Sequence, residues 1–522
     1  MALLLFRHSQ LPRRLLVATC VTAQMQRWAT SMSRTEDLSL ASSSNLTKEG
    51  KKTIDDLPGP SLLTTAYWLF VKGYHGKSHE MQLEQKKIYG PIWQSKFGKF
   101  HLVNVASAEL IQQVIKQEGK YPVRCDLPHW KEYITMREQA PGMHTNFGEE
   151  WYRLRSVLNP KMLKIKETSM YAPTIQEVVT DLIKRIYFLR ENQGQGTMVC
   201  NVTNELYKFG FEGICSILFE KRLGCLQENI PEETKRFIKA VGDMLTLSEI
   251  VIFLPKWTRS FLPYWENFIK AWDDIYEVSK KLVDAKLKSL DKMVQNGESV
   301  EGEFLTFLLS SNKLSLKEIY TVLTELLLGG VDTTSNTMSW TLYHLAKEPN
   351  IQAHLYQEIS SVCPGNQIPT TEDLTKMPYL KAVVKEILRL YPVVHGNGRW
   401  IIENEVILQD YWFPKKTLFH MCHYAASHDE KDFPDPYQFQ PERWLRTTER
   451  YKHNPFSSVP FGVGVRACVG RRVAELEMYF ALARIMKHFE IQPDPSGTTV
   501  KPNTRTLMIP GSPINLNFID RK

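Results

Sequence analysis

The sequence predicts a mainly α-helical fold with small β-sheets. Helical periodicity runs through residues 175–190 and 267–288, and an apolar, helix-compatible stretch extends over residues 316–347. Only short strand-like pieces, such as ENEVIL at 403–408, lie between the helical segments. Neither an internal repeat nor a low-complexity linker divides residues 58–522, so this part of the chain is predicted to be one large domain.

Composition is typical of a folded globular protein. Of 522 residues, 43% are hydrophobic and 23% charged, which argues against both wholesale disorder and a multi-span membrane protein. The net charge of +8 comes without a long basic block interleaved with aromatics, which argues against a nucleic-acid partner. The eight cysteines are scattered without a CxxC pair, so neither a disulfide framework nor a zinc site is predicted.

The N-terminal segment has the composition of a targeting sequence. Its first acidic residue is Glu36, and five arginines precede it among leucines, serines and threonines: Arg7, Arg13, Arg14, Arg27 and Arg34. We expect residues 1–34 to be a mitochondrial transit peptide and residues 35–57 to be a polar linker. A signal anchor is the alternative, but the apolar runs are short and interrupted, whereas a membrane span needs ~20 apolar residues.

The longest predicted helix begins at a capping box formed by Ser315 and Glu318, and it ends before Pro349. Its apolar middle is interrupted by the run GGVDTT at 329–334. Each glycine inside a helix costs ~1 kcal/mol relative to alanine. The glycine pair therefore predicts close approach by a flat cofactor or by another helix.

The strongest chemical motif is FGVGVRACVG at 461–470, which precedes a segment of helical periodicity. It predicts that Cys468 lies at a helix N-terminus, where the helix dipole and free N–H groups favour a thiolate. Such a thiolate can bind haem iron. One alternative is a buried, inert thiol. The other is a GxGxxA dinucleotide fingerprint at Gly462, Gly464 and Ala467, which lacks a convincing preceding strand and enough following residues for a doubly wound sheet.

With these residues the chain resembles the cytochrome P450 superfamily, and the resemblance covers residues 58–522. The family signature FxxGxRxCxG is met at every fixed position, by Phe461, Gly464, Arg466, Cys468 and Gly470. The resemblance implies a fold in which haem b lies between the long central helix and the cysteine loop. It also implies that Cys468 is the axial iron ligand, that Phe461 packs near its sulfur, and that Arg466 contacts a haem propionate.

Other family motifs occur in the same order. Trp151 and Arg155 match the WxxxR propionate contact, and Arg399 is a further candidate for a propionate. A tryptophan and an arginine at this spacing are otherwise ordinary surface packing.

A second set of matches implies a structural role. Glu386 and Arg389 of KEILR, with Arg443 of PERW, match the residues that form a buried ion-pair network in the resembled family. Taken alone, KEILR is a solvated helical pair. Removing one member of a buried network leaves the other charges without a partner, which costs ~3–5 kcal/mol of stability. We therefore expect such a replacement to abolish haem-bound protein.

The central helix carries the predicted catalytic pair, Asp332 and Thr333. In the resembled family the matching residues deliver protons during oxygen activation, with Thr333 facing the haem and Asp332 relaying protons from solvent. The alternative is a helix kink in which Thr333 bonds back to the carbonyl of Gly329.

The resemblance also implies an electron donor, a small mitochondrial ferredoxin supplied by an NADPH-dependent reductase. Its docking site on the proximal face matches Lys381, Lys385, Arg471 and Arg472 here, and an acidic partner would be steered to such basic residues. A solvated charged face is the alternative.

The segment 250–265 predicts contact with a membrane interface. It places Trp257, Phe261 and Trp265 among Lys256 and Arg259, a mixture typical of segments that rest in the headgroup region. Core packing is the alternative. With the transit peptide, this predicts a peripheral protein on the matrix side of the mitochondrial inner membrane.

Within the superfamily, GKYPVR at 119–124 and LLLGGVDTTSNT resemble the mitochondrial sterol, vitamin D and retinoid branch. ELYKFGFEGI, SVCPG, TLFHMCHYA and SPINLNFID resemble its retinol-oxidising members, which implies 3,4-desaturation of all-trans-retinol with O2 and ferredoxin-delivered electrons. Hydroxylation of a sterol or a vitamin D compound is the alternative within the branch. A haem-binding sensor or carrier is the alternative outside catalysis, but it would need neither proton delivery nor electrons.

Overall fold

The computed structural model describes residues 50–97, 100–192, 196–297, 304–445 and 453–521. The predicted transit peptide at 1–34 and residues 35–49 of the predicted linker lie outside the described residues. The predicted fold class is confirmed, because helices form most of the described chain and the sheets are small. In the described part of the chain, no helix is both long enough and apolar enough to cross a membrane.

The helices run from the N-terminal region to residue 488. They are α1 (Leu62–Phe70), α2 (Ser78–Tyr89), α3 (Ala108–Lys116), α4 (Pro128–Met136), α5 (Gly148–Leu163), α6 (Ile165–Ser169), α7 (Ala172–Asn192), α8 (Val202–Phe219), α9 (Glu232–Phe253), α10 (Tyr264–Gln295), α11 (Leu305–Ser310), α12 (Leu316–Lys347), α13 (Pro349–Val362), α14 (Thr371–Thr375), α15 (Pro378–Leu390), α16 (His423–Ser427) and α17 (Arg471–His488). Short 3₁₀ turns occur at Ile54–Asp56, Lys256–Ser260 and Pro441–Trp444.

The strands are short, with two to six residues each. They are β1 (Ile92–Phe97), β2 (Phe100–Val105), β3 (Val123–Arg124), β4 (Met198–Val199), β5 (Asn397–Ile401), β6 (Val406–Leu408), β7 (Tyr411–Phe413), β8 (Thr417–Met421), β9 (Phe489–Pro493), β10 (Pro502–Arg505), β11 (Leu507–Pro510) and β12 (Leu516–Asp520). One sheet has the order β1-β2-β8-β5-β3 and another the order β4-β12-β9, while β6-β7 and β10-β11 are hairpins.

The predicted strand at 403–408 is shorter in the structure, where only Val406–Leu408 is extended. Glu403 and Asn404 form a bend, and the Asn404 amide donates to the carbonyl of Gln117 at 3.0 Å. A side-chain bond to another segment therefore replaces ladder pairing at the start of the expected strand.

Helix α12 is the predicted central helix, with the predicted ends. The Ser315 hydroxyl accepts from the Glu318 N–H at 3.3 Å, and the Glu318 carboxylate accepts from the Ser315 N–H at 2.8 Å. The helix is buried along most of its length and packs against α8, α10, α15 and α17 within the main apolar core. At Gly330, a Cβ atom would come within 3.0 Å of Ile214 on α8, so close helix packing accounts for this glycine.

Candidate active site

The loop that carries Cys468 is a folded turn ahead of α17. Gly462 and Gly464 adopt φ of 68° and 71°, a region that favours glycine, and the Cys468 N–H donates to the Phe461 carbonyl at 2.8 Å. Residues 457–461 are turns and irregular backbone, so the strand required by a dinucleotide fingerprint is missing there. Gly470 is the N-cap of α17, and the N–H groups of Gly470 and Arg471 donate to the Cys468 sulfur.

The protonation of Cys468 depends on opposing effects. Burial raises the pKa of its thiol, while the two backbone N–H groups and the guanidiniums of Arg124 and Arg155 lower it, with a net rise. This differs from the expectation that the helix N-terminus alone would favour the thiolate, because desolvation outweighs the donors. A metal cation at the sulfur would supply the missing stabilisation of the thiolate, since metal ligation requires a deprotonated thiol.

Four buried or half-buried arginines surround the cysteine loop, and we call Arg124, Arg155, Arg399 and Arg466 the arginine cluster. The Arg155 Nη2 donates to the Ala467 carbonyl at 2.9 Å, and the Arg466 Nε donates to the Pro122 carbonyl at 2.8 Å. The Arg124 Nη2 donates to the Arg466 carbonyl at 3.3 Å. Of the predicted residues, Arg155 lies close enough to act on the Cys468 sulfur, Arg466 belongs to the same loop, and the charge of Arg399 acts on Arg124 and Arg466.

The arginine cluster carries positive charge that the surrounding side chains do not neutralise. Glu118 pairs with Arg399 at 2.5 Å and balances only one of the four charges. Burial and mutual repulsion lower the pKa of Arg466 to about 8, and those of Arg124 to about 10. The Nε of Arg124 and the Nη1 of Arg466 are buried and lack a hydrogen-bond partner among the described residues.

These orphaned donors fit the two propionates of haem. Buried guanidiniums without counter-charges are costly, and carboxylates are the groups that arginine binds most specifically. Arg124 and Arg399 are directly opposite in the β3-β5 pair, where like charges destabilise a sheet unless an anion lies between or beside them. The residues present therefore fit an anionic cofactor, with Cys468 placed to bind its iron.

Two members of this site were not predicted from the sequence. Arg124 lies in the GKYPVR stretch that supported the branch assignment, and Glu118 lies just before it. In the sequence, Arg124 is only an arginine at the end of a short strand-like segment, a pattern that does not by itself indicate a functional role.

The predicted aromatic residues lie beside arginines. Trp151 is fully buried and its ring lies 3.9 Å from the Arg466 guanidinium, so it supports that arginine by a cation–π contact. The Phe461 ring lies 5.4 Å from the Arg471 guanidinium.

Gly329 and Thr333 share one open face of α12. A Cβ atom at Gly329 would meet no atom within 4 Å, in contrast to Gly330, so this face leaves room for a flat group. The Thr333 hydroxyl donates to the Gly329 carbonyl at 2.7 Å, as in the kink alternative. That bond leaves the hydroxyl oxygen free to accept a hydrogen bond from the open side.

Asp332 has a different environment from its neighbour. It is 1% exposed, and its carboxylate forms an ion pair with Arg505 at 2.7 Å and accepts from the Asn336 amide at 3.3 Å. Burial raises the pKa of Asp332, while Arg505 and the Tyr207 hydroxyl oppose the rise. Arg505 and Tyr207 were not predicted as functional residues.

Glu386, Arg389 and Arg443 are brought together without solvent exposure. The Arg389 Nη2 and Nε donate to the two oxygens of Glu386 at 2.7 and 2.9 Å, and Arg443 lies 3.3 Å from the same carboxylate. The indole N–H of Trp444 and the backbone N–H of Gln440 also donate to Glu386. The KEILR pair is thus a buried network, not a solvated helical pair.

The predicted docking residues lie on α15 and the first turn of α17. Arg471 and Arg472 both pair with Glu475, at 2.9 and 3.0 Å, and both remain more than 40% exposed. Lys385 is exposed beside Trp444. Burial and the charge of Lys385 lower the pKa of Lys381, and the charge of Glu475 opposes this lowering. The four basic residues therefore form one surface, which we call the basic patch.

The segment 250–265 divides between solvent and core. Trp257 and Phe261 are 52% and 61% exposed, and Leu262 is exposed beside them. Trp265 is partly buried, with Arg259 3.6 Å above its ring and Phe268 stacked at 5.5 Å. Trp265 therefore packs partly against the core, as in the alternative interpretation of this segment, while Trp257 and Phe261 remain exposed.

Comparison with known proteins assigns the family. A family model described as cytochrome P450 matches residues 57–518. Mitochondrial sterol 26-hydroxylase from Homo sapiens is 44% identical over 480 residues, covering 90% of each chain. Mitochondrial 25-hydroxyvitamin D-1 alpha hydroxylase from Homo sapiens is 41% identical over 483 residues, which cover 90% of this chain and 94% of the relative. Cytochrome P450 27C1 from Danio rerio is 38% identical over 475 residues, 90% of this chain and 88% of the relative.

The family resemblance inferred from the cysteine motif is thereby confirmed. Because the family model spans most of the chain and the relatives cover about nine-tenths of it, the chain belongs to the cytochrome P450 family, as a haem-thiolate monooxygenase of the mitochondrial sterol and vitamin D branch.

Proposed function

We propose that the chain oxidises C–H bonds of a lipophilic isoprenoid, with Cys468 as the axial ligand of haem b. The observation that carries this proposal is the unbalanced arginine cluster beside a half-buried cysteine whose sulfur accepts from two backbone N–H groups. Haem bound there through a thiolate supplies the oxidising chemistry. The protein holds the propionates through the arginine cluster and presents the open face of α12 to the reaction.

The substrate class that we place first is a sterol, hydroxylated on its side chain. Its support is that relatives named sterol 26-hydroxylase share 43–44% identity with this chain, against 38% for cytochrome P450 27C1. A vitamin D compound is the neighbouring possibility within the same chemistry, since a relative named 25-hydroxyvitamin D-1 alpha hydroxylase is 41% identical.

Desaturation of all-trans-retinol at the 3,4 position is the second candidate. Its support is the set of segments that resemble retinol-oxidising enzymes, including SVCPG and TLFHMCHYA. This reaction removes one hydrogen from each of two adjacent ring carbons, and no oxygen atom is retained in the product.

Reconstitution with ferredoxin, its reductase and NADPH tests these candidates. Cholesterol, 25-hydroxyvitamin D and all-trans-retinol would each be supplied to the purified holoenzyme, and products would be separated by mass spectrometry. A hydroxylated sterol as the main product supports the first candidate. A retinoid product lacking two hydrogens, with no turnover of sterols, would replace it with the second.

We further propose that the basic patch binds the ferredoxin. Exposed arginines and lysines steer an acidic partner, and such steering weakens as salt rises. Lys385→Glu is expected to raise the KM for ferredoxin, most strongly at low salt, while leaving substrate binding unchanged. Lys292→Glu, on an exposed surface of α10, is the matched control; equal effects of the two variants would contradict the proposal.

Peripheral contact with the inner membrane from the matrix side is proposed for the exposed end of segment 250–265. Trp257, Phe261 and Leu262 present apolar surface, while Lys256 remains exposed beside them. Replacement of Trp257 and Phe261 by serine is expected to reduce co-flotation with cardiolipin-containing vesicles. Co-flotation equal to that of the unmodified protein would contradict this contact.

A further inference from the structure

The segment 141–147, between α4 and α5, is ordered by its own hydrogen bonds. The Gly142 N–H donates to the Thr145 hydroxyl at 3.1 Å, and the Asn146 N–H donates to the Gly142 carbonyl at 2.9 Å. The side-chain amide of Asn146 also donates to the Pro141 carbonyl at 3.0 Å. A displacement at one end of this compact turn is therefore passed to its other end.

Glu325 of α12 holds the first part of the segment. It is 3% exposed, its carboxylate oxygens accept from the His144 backbone N–H at 3.2 and 3.3 Å, and the His144 Nδ1 lies 3.3 Å from the same carboxylate. A Cβ atom at Gly142 would come within 2.3 Å of this carboxylate, so the backbone of the segment lies directly against it. Hydrogen bonds to an ionised carboxylate are stronger than those between neutral groups. Glu325 thus fixes where the segment lies.

The last part of the segment holds Arg466 of the cysteine loop. The Arg466 Nη2 donates to the Asn146 carbonyl at 3.2 Å, its Nε donates to the Pro122 carbonyl at 2.8 Å, and the Trp151 ring lies 3.9 Å from the guanidinium. These three contacts fix the plane of the guanidinium. The Nη1 remains buried without a partner among the described residues, so its direction depends on where Asn146 lies.

Glu325 also lies close to the site. It precedes Gly329 by one helical turn, so the two residues share a face of α12, and a Cβ atom at Gly329 would meet no atom within 4 Å. Burial lowers the pKa of Arg124 to about 10, and the charge of Glu325 opposes this lowering. The carboxylate therefore borders the arginine cluster, while its hydrogen bonds go to the 141–147 segment.

We propose that Glu325 is a positioning residue for haem b, and that it acts on Arg466 through the 141–147 segment. With the carboxylate in place, the segment keeps the Asn146 carbonyl against Arg466 and directs the free Nη1 toward a propionate. Without it, the His144 N–H loses its acceptor, the segment shifts, and Arg466 is no longer held on that side. This inference rests on the proposal that the arginine cluster binds the propionates.

A purely structural role for Glu325 makes a different prediction. If Glu325 only ties the connection between α4 and α5 to α12, its loss lowers thermal stability and leaves the propionates unchanged. The propionate bending band in the resonance Raman spectrum of the holoprotein reports the hydrogen bonds that the propionates accept. The rate of haem transfer to apomyoglobin reports how firmly the cofactor is held, and neither measurement needs substrate or ferredoxin.

Replacement of Glu325 by alanine is expected to shift the propionate bending band. It should also speed haem transfer about three- to tenfold, the effect of losing one hydrogen bond. Glu325→Gln keeps an acceptor oxygen for the His144 N–H, so its transfer rate should lie nearer that of the unmodified protein. Thermal stability is recorded in parallel as the structural readout.

Gly142→Ala perturbs the same contact from the other side. Its new Cβ atom would displace the segment from the Glu325 carboxylate, so this variant should resemble Glu325→Ala. The double variant should transfer haem no faster than Glu325→Ala alone, because two changes at one contact are not additive. Additive effects of the two replacements would show that Glu325 does not act through the segment, and would overturn the proposal.

Glu358→Ala is the matched control, because the Glu358 carboxylate also accepts from backbone N–H groups of another segment, those of Tyr379 and Leu380, both at 2.8 Å. It should leave the propionate band and haem transfer unchanged. The same result for Glu325→Ala would overturn the proposal, and so would equally fast transfer from Glu325→Gln and Glu325→Ala, which would assign the effect to charge alone. Failure of the haem-thiolate proposal is seen separately, as a missing displaced Soret band in the unmodified protein.

Discussion

Replacement of Glu386 by alanine should remove the haem-bound form of the protein. Glu386 is fully buried and accepts from both arms of Arg389 at 2.7 and 2.9 Å, from the Trp444 indole at 2.9 Å and from the Gln440 backbone at 3.2 Å. It also lies 3.3 Å from Arg443. Alanine would leave two buried guanidiniums without their carboxylate.

The expected cost follows from that geometry. Removing one partner of a buried ion pair lowers the free energy of unfolding by ~3–5 kcal/mol, and the total free energy of unfolding of a folded domain is ~5–15 kcal/mol. At ~1.4 kcal/mol per tenfold change, the folding equilibrium would shift roughly 100- to 4,000-fold. Arg389 still donates to the carbonyls of Ser427 and Pro436 in the variant. The loss of stability therefore comes mainly from the missing negative charge and less from the missing hydrogen bonds.

The assay is haem content per polypeptide, read from the reduced carbon monoxide spectrum, together with the urea midpoint of each purified protein. Glu372→Ala is the matched control, because Glu372 is 80% exposed and pairs with Lys376 at 3.0 Å on the helix surface. An exposed helical pair contributes ~0.3–0.5 kcal/mol, so this variant should retain its haem. Glu386→Ala with the haem content and midpoint of the control would refute the argument.

Three further results are expected. Arg124→Gln should speed haem transfer to apomyoglobin at least about tenfold, because a hydrogen bond to a charged group contributes ~1.5–3 kcal/mol; unchanged transfer would remove Arg124 from the propionate site. Thr333→Ala should keep the reduced carbon monoxide spectrum and release about tenfold more peroxide per product, whereas unchanged coupling would exclude Thr333 from proton delivery. Burial lowers the pKa of His395 to about 3 and that of His420 to about 4. Below pH about 6.5 the unfolded chain binds these protons and the folded chain does not, so the free energy of unfolding should fall as pH drops from 6.5 toward 4, with His420 contributing up to about 3 kcal/mol. In His420→Gln the urea midpoint should depend less steeply on pH. A pH dependence as steep as that of the unmodified protein would contradict this.

Local patterns predicted much of the fold. Helix α12 begins and ends as expected because its capping box and the proline after it lie within the segment itself. The cysteine loop was recognisable because glycines and Arg466 are required at fixed offsets from Cys468. Such features depend on neighbours in sequence, which a single sequence displays.

Contacts between distant segments were not predictable in the same way. Arg124 faces Arg399 only because β3 pairs with β5, and a two-residue strand gives no indication of its register. The ion pair of Asp332 joins residues 173 positions apart. Apolar periodicity likewise could not show which of Trp257 and Trp265 packs inward, since both occur in the same mixed segment.

Desolvation was a further quantity that the sequence did not reveal. A helix N-terminus lowers the pKa of a thiol, but the depth of burial decides whether that effect prevails. At Cys468 burial prevails, so the thiolate depends on the cation that it is proposed to bind.

The most direct test of the account is the reduced carbon monoxide difference spectrum of the Cys468→Ser protein beside that of the unmodified protein. Cys200→Ser, which changes an exposed cysteine, is the control. Thiolate ligation through Cys468 predicts the displaced Soret band in the unmodified and Cys200→Ser proteins, and its loss in Cys468→Ser. The same displaced band in Cys468→Ser, with turnover retained, would contradict the central claim.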